Sequence, residues 1–141
     1  MTNIVTALRE DGRFSTFLKA MDAAGITNIL SVEGPFTVFA PTDSAFAGIP
    51  ENFLEDIMRD QERATDLLTA HIVPERLTGY DLMGRGSVET LQGSSIRVDA
   101  SADRIYVDDA YVVSRDIDCS NGVIHAIDTV LLPEQAEAIP A

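Results

Sequence analysis

The apolar positions in the first half of the chain recur at the three- and four-residue spacing of amphipathic helices. Phe14, Phe17 and Met21 would share one face of a helix that Gly25 ends. The first half is therefore predicted to be mainly helical. The same spacing predicts further helices over residues 4–10 with Asn3 or Thr2 as the cap, from Asp43 or Thr42 through Phe46, over 53–58 after Pro50, and over 62–70.

From residue 88 onward apolar and polar positions alternate, which is typical of strands with one buried face. Turn residues separate the alternating segments at 93–95, 100–103 and 108–109. Helices followed by strands predict an α+β domain whose sheet is mostly antiparallel or mixed. The predicted strands contain Val88 and Thr90, Ile96 and Val98, Ile105 and Val107, residues 111–114 and residues 123–131.

An apolar segment at residues 34–46 has chemically defined ends. Gly34-Pro35 marks a turn, and the β-prone residues 36–39 that follow predict a buried strand. Thr42 or Asp43 then offers a side-chain oxygen that can cap the next helix, a bond worth about 1 kcal/mol. Both residues are therefore interpreted as structural.

A second apolar segment, residues 121–133, begins with the strong turn signal Asn121-Gly122 before β-branched residues. It contains His125, and the other histidine of the chain, His71, lies in the apolar stretch 67–74. A buried imidazole is favoured in its neutral, hydrogen-bonded form. Both histidines are therefore predicted to be structural, and stability is predicted to fall below about pH 6.

The 141 residues are expected to form one domain, residues 1–141, with 134–141 as a loosely held tail. No uninterrupted apolar run of roughly 18 residues is present, so no segment is expected to insert into a membrane. The first ten residues lack the pattern of a secretory signal. The expectation is either an exported chain whose signal was trimmed or a protein that stays inside the cell.

The formal net charge of −13 argues against nucleic acid as a partner, because phosphate binding depends on clustered Lys and Arg. Anionic lipid surfaces are disfavoured for the same reason. Cys119 is the only cysteine, so no internal disulfide can form. Its expected role is packing near a turn, with a reactive thiol or an intermolecular bridge as the alternatives.

The segments 34–46 and 121–133, together with 67–74, resemble the two signature regions and the central histidine motif of the fasciclin domain. The resemblance covers essentially the whole chain. It implies a fasciclin-type wedge of antiparallel or mixed strands, with several helices mostly in the N-terminal half. It also implies a noncatalytic, extracellular, cell-surface or periplasmic adhesion module without a cofactor, whose partner is a surface protein, a polysaccharide or a second copy of itself.

The resemblance supplies two candidate contacts with a partner. In animal fasciclin domains an Asp-Ile pair before the second signature region is associated with integrin binding, and Asp116-Ile117 matches its position. A Tyr-His motif flanked by branched aliphatic residues is matched by His71, Ile72 and Val73, with Ala70 in the tyrosine position. The resemblance also implies that Thr42-Asp43 and the two histidines hold the fold together.

Catalysis finds little support in the motifs of the chain. There is no Gly-x-Ser-x-Gly elbow, phosphate-binding glycine loop, Cys-x-x-Cys or His-Glu-x-x-His, and no metal site is predicted. The alternative to an adhesion module is a protein that binds a small ligand or a carbohydrate in a groove between helices and sheet. A hydrolase with an unrecognised site is the third candidate.

Overall fold

Two capped helices open the computed structural model, which describes residues 3–25, 34–49, 51–93, 95–101, 104–107 and 110–130. In α1 (Ile4–Asp11) the side chain of Asn3 accepts a hydrogen bond from Thr6 N, which makes Asn3 the N-cap. Helix α2 (Ser15–Ala24) ends, as predicted, at Gly25, whose left-handed φ of 74° suits glycine.

Three more helices follow the first strand, β1 (Phe36–Pro41): α3 (Asp43–Phe46), α4 (Glu51–Arg59) and α5 (Gln61–Thr69). A two-residue strand, β2 (Ile72–Val73), then leads to the short helix α6 (Gly79–Met83). The sequence patterns did not predict α6. Its local signal is a capping box, in which Thr78 and Asp81 each bond the backbone of the other.

Among the described residues, seven strands form one mixed sheet in the order β2-β1-β7-β6-β5-β4-β3. Strands β1 and β7 run parallel, and the other neighbouring pairs are antiparallel. The predicted α+β class with a mixed sheet is therefore confirmed. The remaining strands are β3 (Ser87–Glu89), β4 (Ser95–Ser101), β5 (Arg104–Val107), β6 (Ala110–Cys119) and β7 (Gly122–Ile127).

Three predicted boundaries need correction. The turn expected at 100–103 is wrong at its first two residues, because β4 continues to Ser101, and residues 102 and 103 lie outside the described residues. The strand expected at 111–114 continues to Cys119 through a shift in register. The last strand ends at Ile127, where the Asp128 side chain accepts a hydrogen bond from Tyr111 N. Pro50, the turn at 108–109 and the tail at 134–141 lie outside the described residues.

The centre of the sheet separates two hydrophobic cores. Val38 and Ala40 of β1 face a core built with α1, α2 and α5, whereas Phe39 faces a second core that contains Leu82 of α6. Since both faces are covered, every residue of β1 and β7 is buried. Among the described helices, none is long and apolar enough to cross a membrane.

Candidate functional site

His71 lies at the start of β2 with its ring fully buried. Its Nδ1 donates to Leu67 O at 2.8 Å, and its ring meets Phe17 edge-on at 6.0 Å between centroids. Burial lowers the pKa of His71 to about 4, although the hydrogen bond to Leu67 opposes the shift. The imidazole is therefore neutral near pH 7. It packs against Phe17 and donates a hydrogen bond to the backbone of Leu67.

Ile72 and Val73 form β2 beside His71, and all three side chains are 1% exposed or less. Ile72 faces the core beneath the helices, and Val73 faces the core beneath α6. Both pair with β1. In the folded domain the side chains of His71, Ile72 and Val73 are therefore not accessible to a partner. A binding role for this segment stays a prediction.

His125 lies on β7 and uses both ring nitrogens. Its Nε2 donates to Leu77 O at 2.7 Å, and its Nδ1 accepts a hydrogen bond from Asp116 N at 3.2 Å. The ring stacks on Phe39, with 5.7 Å between centroids. Burial lowers the pKa of His125, against the opposing effects of the Leu77 hydrogen bond and the Asp116 charge. The neutral ring joins β7, β6 and the loop before α6.

Thr42 and Asp43 cap different helices. Thr42 is the N-cap of α3, where its hydroxyl accepts from Ala45 N at 3.3 Å. Asp43 instead accepts from Thr16 N at 2.9 Å and from the Ser15 hydroxyl at 2.7 Å. The sequence had suggested that Asp43 caps the helix that follows it. The structure shows that Asp43 caps α2 instead.

The capping role of Asp43 follows from the start of α2. The N-cap residue there is Phe14, which makes no side-chain capping bond, so the orphan N–H groups need an acceptor from elsewhere. Partial burial raises the pKa of Asp43, but the hydrogen bonds from Thr16 and Ser15 outweigh it and hold the pKa below its usual value. The carboxylate is charged at neutral pH, which suits a helix N-terminus.

Asn121 and Gly122 join β7 to the beginning of the chain. The side-chain oxygen of Asn121 accepts a hydrogen bond from Ile4 N at 3.0 Å. The backbone carbonyl of Asn121 accepts one from Phe36 N, also at 3.0 Å. Gly122 pairs with Phe36 of the parallel strand. A Cβ at position 122 would collide with the Phe36 carbonyl and come within 2.9 Å of Ile4 Cδ1. The turn residues therefore also anchor α1.

Asp116 and Ile117 lie at the irregularity in β6, where the register shifts between Ser114 and Ile117. We call residues 114–117 the bulge. Asp116 has a left-handed φ of 61° and is exposed, whereas Ile117 is half-buried and packs against the core beneath the helices. Asp116 Oδ1 accepts from Gly79 N, the first residue of α6, at 2.7 Å. The bulge therefore holds α6.

Sequence reasoning missed the exposed residues of α6, the helix whose first residue contacts the bulge. Tyr80 is 83% exposed, and Met83, one turn along the same helix, is 45% exposed. The Arg115 side chain covers Gly79 so closely that an added Cβ would lie 2.9 Å from Arg115 Cδ. We call Tyr80, Met83, Arg115 and Asp116 the α6–bulge surface. It combines an aromatic ring, an apolar chain and both signs of charge.

Within the part of the chain that the structure describes, no group of three or more His, Cys, Asp or Glu side chains is placed to hold a metal ion. Cys119 is buried, and burial raises the pKa of its thiol to about 11, with Asp118 adding to the shift and Arg76 opposing it. The thiol is therefore protonated and a poor nucleophile near pH 7.

The family model of the fasciclin domain matches residues 12–133. The chain therefore belongs to the fasciclin domain family. Protein sll1483 of the cyanobacterium Synechocystis sp. is 39% identical over 132 residues, which are 92% of this chain and 73% of that protein. Human periostin is 35% identical over 139 residues, which are 98% of this chain but 17% of periostin.

A solved structure supports the same fold. The fasciclin domain pair of the insect cell adhesion molecule Fasciclin I superposes with a TM-score of 0.79 at 24% identity, covering 96% of this chain and 52% of that chain. At this identity the likeness concerns the fold, which leaves function to be argued from the surface of this protein.

Proposed function

We propose that this protein is a noncatalytic adhesion module that binds a protein partner, outside the cell or at its surface, through the α6–bulge surface. The observation that carries the proposal is Tyr80, which is 83% exposed on α6 and directly follows Gly79, the residue that bonds Asp116 and that Arg115 approaches. Tyr and Arg are enriched among the residues that dominate the energy of protein interfaces. A rigid ring loses little conformational entropy on binding.

The bulge holds Asp116 in a fixed position before a partner binds. Asp116 is fixed at three points: its carboxylate holds Gly79 N, its N–H meets His125, and its strand pairs with β7. Preorganised groups lose less entropy when a partner binds. Ile117 contributes from beneath, because its half-buried side chain supports the bulge against the core.

The net charge of the chain limits the classes of partner that it can bind. A net charge of −13 favours basic or neutral surfaces and repels nucleic acid and anionic lipid. The α6–bulge surface is small, so each contact is expected to be weak and to gain strength when several copies act together.

The test compares monomeric protein with protein clustered on beads, for retention on intact source cells. Clustered protein should be retained far better than monomer, and Tyr80→Ala should abolish retention. Leu91→Ala is the matched control, because Leu91 is 42% exposed and lies in the turn after β3, outside the α6–bulge surface. Protease treatment of the cells should remove binding, whereas periodate oxidation of glycans should not.

Two results would contradict the proposal: equal retention of monomer and cluster, or full retention of Tyr80→Ala. The location of the native protein is tested separately, by treating intact cells with an impermeant protease. Loss of the protein from intact cells supports surface adhesion, and protection in the cytoplasm overturns it.

A further inference from the structure

The opposite face of the sheet from α6 carries an open groove of about 390 Å³. In β5, Ile105 and Val107 point into the core beneath α6, so the alternate residues point to the other face. The groove and the α6–bulge surface are therefore on different sides of the sheet. The residues that line the groove are Arg104, Tyr106, Tyr111, Asp128 and Thr129.

Two tyrosines form the floor of the groove. Tyr106 of β5 is directly opposite Tyr111 of β6 in the antiparallel pairing. Their ring centroids are 5.5 Å apart and the rings are inclined at 49°. Both side chains are half-buried, with the ring partly open to solvent. Val113, two residues along β6 and 43% exposed, continues this face beyond Tyr111.

Asp128 fixes the polar rim. Its Oδ1 accepts from Tyr111 N at 2.9 Å and from the Thr129 hydroxyl at 3.1 Å, while its own N–H donates to Tyr111 O at 3.1 Å. The carboxylate is thus held beside the tyrosine pair. Arg104, exposed at the start of β5, adds a guanidinium with several donors to the same groove.

We infer that this groove binds a neutral saccharide. The apolar C–H face of a sugar ring is flat and can pack on an aromatic ring, while its hydroxyls are donors and acceptors. The tyrosine pair offers the flat surface, Asp128 and Thr129 offer acceptors, and Arg104 offers donors. The volume is at the lower end of the range typical of small-ligand sites, which suits one or two sugar units.

Charge decides the class of saccharide. Arg104 and Asp128 both line the groove, so its own charges offset each other, and the net charge of −13 on the whole chain repels acidic sugars as they approach. A protein partner is less favoured here than on the α6–bulge surface, because both tyrosines that line the groove are half-buried, whereas Tyr80 is 83% exposed. The saccharide site thus goes beyond the proposed function and does not depend on it.

The three tyrosines of the chain provide the readout, since two line the groove and Tyr80 is an internal reference. The experiment labels the tyrosine rings with ¹³C and titrates the full chain with soluble neutral oligosaccharides, namely β-1,3- and β-1,4-glucans, chitin oligomers and mannans. A ligand should shift the Tyr106 and Tyr111 ring signals and leave Tyr80 unmoved. Tyr106→Ala should weaken that binding about tenfold or more.

Folding effects are separated by Tyr106→Phe, which keeps the ring and should retain most of the affinity, and by Tyr80→Ala, which should retain all of it. No ring shift with any neutral oligosaccharide at millimolar concentration would overturn the inference. So would binding of acidic oligosaccharides alone, or loss of cell retention in Tyr106→Ala without any saccharide binding by the wild type. The first two of these results leave the outcome of the Tyr80 retention assay unaffected.

Discussion

The backbone N–H of Asp116 donates a hydrogen bond to Nδ1 of His125 at 3.2 Å, so an exposed residue of the bulge depends on a buried imidazole. The other ring nitrogen of His125 donates to Leu77 O, just before α6, and the Asp116 carboxylate holds the first N–H of that helix. These three bonds connect the core of the sheet to the surface that is proposed to bind a partner.

Replacing His125 should therefore loosen the bulge as well as the core. In His125→Phe the ring could still stack on Phe39, but Asp116 N and Leu77 O would lose their partner. Each buried polar group left unpaired costs about 1–3 kcal/mol, so for two groups we expect a loss of about 2–6 kcal/mol in unfolding free energy. Urea denaturation measures the loss, and hydrogen exchange should show faster exchange at Asp116 N.

The control for this experiment is Asp116→Asn, which keeps the backbone donor and should preserve the protection of that amide. If His125→Phe left both the stability and the protection of the Asp116 amide unchanged, the coupling would be absent.

Acid should destabilise the protein through its histidines. Burial lowers the pKa of His71 from its usual 6.5 to about 4, and it lowers the pKa of His125 in the same direction. The unfolded chain thus takes up protons before the folded one does. The stabilisation is complete above about pH 6.5 and is lost as the pH falls towards 4, by roughly 3 kcal/mol from His71.

Urea denaturation between pH 7.5 and about 4.5 isolates this effect, because the carboxylates with lowered pKa values, Asp11 and Asp43, stay ionised there. His71→Gln should be less stable at pH 7 but should have a shallower pH dependence. A wild-type free energy of unfolding that is flat over this interval would contradict the buried neutral imidazoles.

Asp43→Ala should destabilise α2, whose Thr16 is 27 residues away in sequence from the substituted residue. The loss of its bonds to Thr16 N and Ser15 leaves the helix N-terminus without its acceptor, at a cost of about 1–2 kcal/mol. Thermal unfolding measures the change, and Asp56→Ala, which removes an exposed carboxylate from α4, is the charge-matched control. Equal melting temperatures for the two variants would refute the capping role.

Gly122→Ala should be among the most disruptive single-methyl changes in the chain. Its new Cβ would overlap the Phe36 carbonyl in the parallel pairing of β1 and β7, and neither strand can shift without moving a core. We expect a loss of about 3 kcal/mol or failure to fold. Gly86→Ala is the control, because an added Cβ there meets nothing within 4 Å. Similar stability of both variants would contradict the close approach.

Local chemistry in the sequence determined much of this protein. The α2 face with its terminating Gly25 and the mostly apolar run of β1 follow from side-chain period and turn residues. These properties depend on residues close together in the chain, which explains why the sequence predicted them.

The partners of those residues were decided only by the tertiary structure. The sequence marked Asp43 as a capping residue, but packing directed its carboxylate to α2, and the same packing placed Asn121 on α1. Likewise the pairing of Tyr106 with Tyr111 depends on strand register, and the contact of Asp116 with α6 depends on a register shift. Such contacts are set by the mutual fit of the cores and strands, to which each residue contributes only a part.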